Sequence, residues 1–391
     1  MCIRDRNQAA DGSRSANGLR NSARPGQSLI LAGTGLGDSR PEVWVGFRHA
    51  AVSAVRRGAA DAADEISFRL PPDIPPGCYV PVQVRQPGGM PGNTVTISVH
   101  AGGGACEPSA ILPVAAWSGR TGGVVVISRT VKATDSIISD EGMAVFATHE
   151  DQDLPLSPLL LIPPLGVCTA YTAAMTGGPQ PSPSAADALT SSPHTTGRDA
   201  GPRITVTRNN QKVPISPLPG APGVYKRLLG EQWNGRPGRG GPLFLEPGDL
   251  LVAGTGGADI GPFKVSIPAP EPFVWENRDS LGPIDRRAGV LLRWRPLPPE
   301  GVLLIALTSI DPSGAAWGAC YCAAAAAAGS CTIPPAVLAN LPASHPSPTV
   351  PAPSLVLSYL PLRNQQPLHA AGLDNGMAIS LFAQSLAVRV R

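Results

Sequence analysis

Glu65-Ile-Ser-Phe-Arg-Leu-Pro-Pro-Asp-Ile-Pro-Pro-Gly-Cys-Tyr-Val-Pro-Val-Gln-Val84 decides the fold class of this chain. Its opening run alternates, with Ile66, Phe68 and Leu70 on one side, and a period of two marks a half-buried strand. Pro71, Pro72, Pro75, Pro76 and Gly77 then force a corner, because proline fixes φ and removes a backbone donor. A second alternating run follows, with Val80, Val82 and Val84 on one face. Strand, corner and strand with no helical period between them predict an all-β chain.

The flanks continue the pattern. Leu29 and Leu31 alternate with Ser28 and Ile30, and Gly33, Gly35 and Gly37 make a tight turn. Glu42-Val-Trp-Val-Gly46 and His49-Ala-Ala-Val-Ser-Ala-Val55 are strands, and Asn93-Thr-Val-Thr-Ile-Ser-Val99 forms a hairpin-like pair with Cys78–Val84. Short strands at this spacing indicate a β-sandwich over residues 25–100.

The wording of this stretch is specific. Gly26-Gln-Ser-Leu-Ile-Leu-Ala-Gly-Thr-Gly-Leu-Gly37, Val43-Trp-Val-Gly46, Ile66-Ser-Phe-Arg-Leu-Pro71 and Pro75-Pro-Gly-Cys-Tyr-Val-Pro-Val-Gln-Val84 resemble the IPT/TIG (immunoglobulin-like) domain. The resemblance is to the variety repeated in uncharacterised secreted bacterial proteins. It implies an Ig-like sandwich and an extracytoplasmic role, and no reaction, since chemistry lives in sites and not in folds. At one point the chain departs from the family pattern: Gly46-Phe47 stands where Gly-Gly usually follows the Val-x-Val strand.

Composition agrees with an all-β reading. The chain has 391 residues, with 44 Gly and 45 Pro, yet 42% of it is hydrophobic, too apolar for a disordered chain and turn-rich enough for many short strands. Only 15% is charged and the net charge is +3, which argues against electrostatic capture of nucleic acid. The basic residues are almost all arginine, with lysine only at 132, 212, 226 and 264. No apolar run is long enough to span a bilayer. The opening Met-Cys-Ile-Arg-Asp-Arg6 reads as translated adaptor sequence of the kind met in metagenomic assemblies. On that reading residues 1–24 are an artefactual start plus linker, and Cys2 does not count.

Two further β-sandwich-like domains are expected, at 115–267 and 273–391. The first holds strands at Val124–Val131, Gly142–Thr148, Arg203–Thr207, Gly223–Lys226, Pro242–Leu245, Asp249–Ala253 and Phe263–Ile267, with a mobile loop at 176–201. Pro268-Ala-Pro-Glu-Pro272 is a stiff linker. The last region holds strands from Gly289 onward and one short helix near 335–341, opened by Pro334-Pro335 in a position suited to a first helical turn. Ala323–Ala328 is too short to hold a helix alone and reads as a strand end and loop.

Candidate sites are few. Gly33-Thr-Gly-Leu-Gly37 lacks the helix that a dinucleotide fingerprint requires, and Gly254-Thr-Gly-Gly257 is likewise a turn. His149-Glu-Asp-Gln-Asp153 lacks EF-hand spacing and reads as a solvated loop. Lys226-Arg227 to Arg239-Gly-Gly241 is a basic, Gly-rich loop. No nucleophile elbow or His-Glu-x-x-His motif is present, and no cofactor, metal or catalytic residue is assigned. Setting Cys2 aside, the even cysteine count points to disulfides and an oxidising compartment. Cys78 and Cys106 bracket two antiparallel strands, and a bond between them stabilises by roughly 3–4 kcal/mol. Cys331 is expected to pair with Cys320 or Cys322, leaving Cys168 free or joined to the remaining thiol. Trp44, Trp233 and Trp275 look exposed and are candidate glycan-binding aromatics. The expectation is a non-enzymatic secreted or cell-surface β protein, with a structural, adhesive or protein-interaction role and an unknown protein or polysaccharide partner. The alternatives are a set of carbohydrate-binding modules or an accessory fragment of a larger extracellular enzyme.

Overall fold

The structure is a computed structural model that describes residues 4–9, 11–34, 39–58, 63–86, 91–106, 121–149, 163–174, 195–344 and 352–391. The N-terminal module contributes β1 (Arg4–Gln8), β2 (Arg14–Ala16), β3 (Ser28–Gly33), β4 (Glu42–Val45), β5 (Arg48–Arg56), β6 (Asp64–Arg69), β7 (Gly77–Arg85) and β8 (Pro91–Val99). Their order in the sheet is β2-β1-β3-β6-β5-β4-β7-β8. The fold turns on β5. Its first residues, Arg48 to Ala50, pair with β4, and from Ala51 onward it pairs with β6, with a bulge between Val52 and Ala54. A bulge bends a strand and sharpens its twist, so β3-β6-β5 comes to face β4-β7-β8. Leu29, Leu31, Ile66 and Phe68 from one side meet Val43, Val45, Val80, Val82 and Ile97 from the other. In chain order these are the B-E-D and C-F-G strands of an Ig-like sandwich. The Ala23 N–H donates to the Ser98 carbonyl and its own carbonyl accepts from the His100 N–H, both at 2.9 Å, which ties β8 to the chain entering β3.

Within the stretch expected to be a start plus linker, two short strands are present. Arg4–Gln8 pairs antiparallel with Ser28–Ala32, and Arg14–Ala16 adds outside it. The reason is the open edge of β3, whose backbone groups need partners. Asn17 reinforces the attachment: its amide donates to the Ser98 carbonyl (3.0 Å) and its Oδ1 accepts from the Ser98 N–H (2.7 Å).

The remaining strands begin with β9 (Thr121–Lys132), β10 (Ile137–His149), β11 (Cys168–Ala174), β12 (Thr195–Gly197), β13 (Ile204–Arg208) and β14 (Gln211–Ile215). Then come β15 (Val224–Trp233), β16 (Arg236–Pro237), β17 (Asp249–Gly254), β18 (Phe263–Pro268), β19 (Val290–Arg293) and β20 (Gly301–Ile310). Last are β21 (Ala316–Ala325), β22 (Ser330–Ile333), helix α1 (Pro335–Leu338), β23 (Ser354–Pro361), β24 (Gln365–Pro367) and β25 (Asn375–Ala387). Helix α1 carries a proline in its first turn, as expected. Ala326–Ala328 is a short 3-10 turn ended by Gly329 at φ 67°. Pro242–Leu245 is not a strand.

The two expected C-terminal domains are one body. Eleven strands form a single sheet along β11-β21-β20-β23-β25-β9-β10-β15-β16, with β12 on β10 and β24 on β25. The join is β25, which runs parallel to β9 from Asn375 opposite Gly122 to Ser385 opposite Lys132. The expected linker at Pro268–Pro272 is a strap across this join. Ser380 Oγ donates to the Pro268 carbonyl (2.6 Å) and Gln384 Nε2 to the Phe273 carbonyl (2.7 Å). Part of the expected mobile loop, Thr195–Gly197, is strand β12 paired with β10; residues 176–194 and Glu150–Asp153 lie outside the described residues.

Ladder register puts the two larger cores of the body on one face of the large sheet, and a smaller buried cluster around Val126, Met377, Ile379 and Leu381 on the other. Val125, Ile127, Ala144 and Phe146 pack against Ile204, Val206, Leu250 and Val252 of the four-stranded sheet β14-β13-β17-β18. Farther along, Leu303, Ile305, Leu355 and Leu357 pack against Leu292 and Ile333 of the β19-β22 pair, with Trp294, Trp275 and α1. Asp140 sits on this face, fully buried. It takes a two-pronged ion pair from Arg129 (2.7 and 2.8 Å) and the N–H groups of Phe244 and Leu245 (2.7 Å each). The 242–246 segment is thus held by a carboxylate, which explains its order without a ladder.

The module docks on the body through its β4-β7-β8 face. Gln83 donates to Asn340 Oδ1 (2.9 Å), Arg85 to the Ala336 carbonyl (2.5 Å) and Thr94 to the Ala170 carbonyl (2.8 Å). A Cβ on Gly77 would lie 2.1 Å from Pro164 Cγ, so glycine permits the approach. At the β4–β5 turn, Gly46 and Phe47 have φ of 52° and 59°, the signature of a type I′ hairpin. Phe47 leaves the module's core and joins the body's, the buried cluster that also holds Cys168 and Ala170. The residue that departs from the IPT/TIG pattern is the dowel between module and body.

Candidate interaction surface

Among the described residues the cysteines form two bonds, Cys78–Cys106 and Cys168–Cys322. The expected bond from Cys331 to Cys320 or Cys322 is absent, and both Cys320 and Cys331 are free. The ladder decides it. Cys168 on β11 lies directly opposite Cys322 on β21, with Cα atoms 4.0 Å apart, whereas Cys331 belongs to the small β19-β22 sheet opposite Leu292. Burial pushes the Cys320 thiol up to about 12 and raises that of Cys331, so neither is an activated nucleophile.

The three tryptophans singled out from the sequence separate. Trp275 is 5% exposed within the body's core, beside Trp294, and is no ligand platform. Trp44 is half-covered: Arg85 lies over its ring at 5.2 Å, His49 meets it edge-on and Glu42 accepts from its Nε1. That stack belongs to the module–body contact. Trp233 is 60% exposed.

Trp233 owes its position to a hairpin. Asn234 and Gly235 have φ of 47° and 78°, the Asn-Gly pair favoured in two-residue type I′ turns. The stretch expected to be a basic, Gly-rich loop is therefore largely the β15–β16 ribbon. The Asn234 N–H donates to the Ser136 carbonyl (3.2 Å), which joins this tip to the β9–β10 turn. Across the ladder Lys132 stands opposite Ile137, Ile137 opposite Trp233 and Trp233 opposite Arg236. Directly paired residues share a face. The row lies opposite the core, because Arg129 and Val131, not Lys132, point toward the covered side. Trp233 and, within the basic stretch 226–241, Arg236 are visible in the sequence; that Lys132 joins them comes only from cross-strand register.

A concavity of about 380 Å³ is lined by Pro298, Glu300, Tyr359, Pro361, Leu362 and Arg363. Its guanidinium is already paired with Glu271 (Nε to Oε1, 2.8 Å), so it offers a mainly apolar wall. His100 bonds the Gly103 carbonyl through Nδ1 (2.9 Å). Among the described residues no group of three or more His, Cys, Asp or Glu is placed to hold a metal ion, and no helix is long and apolar enough to cross a membrane.

No family model matches the chain, and no curated protein matches it. Among solved structures it is similar to the Bacteroides ovatus mixed-linkage glucan utilization locus SGBP-B in complex with a mixed-linkage heptasaccharide, at 10% identity and a TM-score of 0.18. That match covers 76% of this chain, which spans 58% of the other's length. An I-band fragment of titin is matched at 10% identity over 95% of this chain and 97% of that one, with a TM-score of 0.14. Scores this low assign neither a shared overall fold nor a function. The class rests on the strands: an all-β protein with an Ig-like N-terminal sandwich riveted to a wide-sheet body.

Proposed function

We propose that the protein is a non-enzymatic, extracytoplasmic β protein that holds a macromolecular partner, and that its N-terminal sandwich is a module of the IPT/TIG kind. The observation that carries this reading is Trp233. A large aromatic exposed on a braced hairpin gives contact area at little cost in conformational entropy, and such residues dominate interfaces. The disulfides Cys78–Cys106 and Cys168–Cys322 support an oxidising compartment. The partner is a protein or a polysaccharide. Wild-type and Trp233→Ala proteins, purified with disulfides intact, are compared on a glycan array and against extracellular protein fractions. Reproducible binding that the substitution abolishes at unchanged Tm supports the reading; binding indifferent to it sinks the reading.

A further inference from the structure

We infer that the partner engaged at Trp233 is an acidic polysaccharide, laid across the row Lys132–Ile137–Trp233–Arg236; this rests on the reading of Trp233 as a contact residue. With neighbouring strands ~4.8 Å apart, the row extends roughly 14 Å over the outer face. Its middle is apolar, with Ile137 half-buried beside the exposed indole. A ring of this kind accepts the apolar face of a pyranose. Its ends are Lys132 and Arg236, both exposed, and neither has an ion-pair partner among the described residues. A planar guanidinium takes a carboxylate or sulfate with two parallel hydrogen bonds, and an ammonium adds a point charge.

Acidic groups stand near the row. Asp135 lies in the adjacent turn, and Glu231 is two residues up β15. Glu231 Oε1 accepts from the Arg239 N–H (3.1 Å), which engages it with its own turn. Within the row the only charges are positive. A neutral glycan would leave both cations without a counter-charge. A protein partner would call for a wider apolar centre than one indole and one isoleucine. Single-stranded nucleic acid would call for a series of stacking rings.

The test measures binding to polygalacturonate, dextran sulfate and unsulfated dextran at low and high salt. The proteins are wild type, Trp233→Ala, Lys132→Gln/Arg236→Gln and a control, Lys264→Gln, on the exposed side of β18. Wild type and control bind one or both acidic polymers and not dextran, more weakly as salt rises. The double substitution loses about tenfold or more in affinity at unchanged Tm, and Trp233→Ala abolishes binding. Preference for the carboxylated or the sulfated polymer identifies the anion. If Trp233→Ala abolishes binding while the double variant binds as wild type does, or if dextran binds equally well, the acidic-ligand inference falls and the Trp233 reading stands. If Trp233→Ala changes nothing, both fall. Binding to none of the polymers, or only to a protein, overturns the acidic-polysaccharide inference.

Discussion

Asp140 is the residue on which most depends. Truncation to Ala leaves the Arg129 guanidinium without its partner and orphans the N–H groups of Phe244 and Leu245. Removing one member of a buried pair costs about 3–5 kcal/mol. Urea unfolding of Asp140→Ala should show a lower midpoint with an unchanged slope, and Asp140→Asn, which keeps an acceptor, should lose less. Asp199 gives the acid response. The N–H groups of Ala258 and Gly201 bond its carboxylate and hold it below the usual carboxylate range. The unfolded state therefore takes up the proton first, near pH 4. The stabilisation is complete above that value and is lost as pH falls through the folded pKa. Tm measured from neutral to strongly acid pH should fall, and Asp199→Asn should flatten the acid limb. The thiols give a third readout. With Cys320 pushed up to about 12 by burial, alkylation at pH 8 followed by peptide mapping should leave Cys320 unmodified in the native protein and modify both Cys320 and Cys331 after unfolding.

At the scale of elements, the β4–β5 hairpin makes the sharpest prediction. Phe47 holds a left-handed backbone at φ 59°, uncommon for a bulky side chain. Phe47→Ala keeps that strain and empties the body's pocket, at about 3–5 kcal/mol. Phe47→Gly empties the same pocket but removes the strain, so it should cost roughly 1 kcal/mol less. The reverse ranking in denaturant melts would mean that the turn is not strained. Elements also show what a single sequence makes legible. The alternation in Glu65–Leu70 and Val80–Val84 is visible because side-chain direction along a strand is set by its own backbone. The parallel pairing of β25 with β9 leaves no such mark: Asn375 and Gly122 carry no signal that they are neighbours. The same holds for Cys168 and Cys322, 154 residues apart. The expected Cys331 partner was chosen by nearness along the chain, and the ladder overruled it.

Across the whole molecule, module and body make contact through Phe47, Gln83, Arg85 and Thr94. Such a contact couples their unfolding, and wild type should melt in one calorimetric transition. Phe47→Ala/Arg85→Ala removes the dowel and the guanidinium bond to Ala336, and should split the melt into two. A single transition merely shifted downward would show that the coupling runs elsewhere.

The sequence by itself determined that this is an all-β chain, where most of its strands lie, that residues 25–100 form a sandwich and that one short helix starts at Pro335. Those features follow from local sterics: a two-residue side-chain period, proline's fixed φ and a missing N–H. Only the tertiary structure decided that strands of both expected C-terminal regions share one eleven-stranded sheet, that Cys322 bonds Cys168, that Phe47 leaves its own module, and that Trp275 is core while Trp233 stands in solvent beside Lys132 and Arg236. Each of these depends on which distant strands bury one another's apolar faces. That choice is made by the total surface removed from water, to which no local stretch of sequence has access.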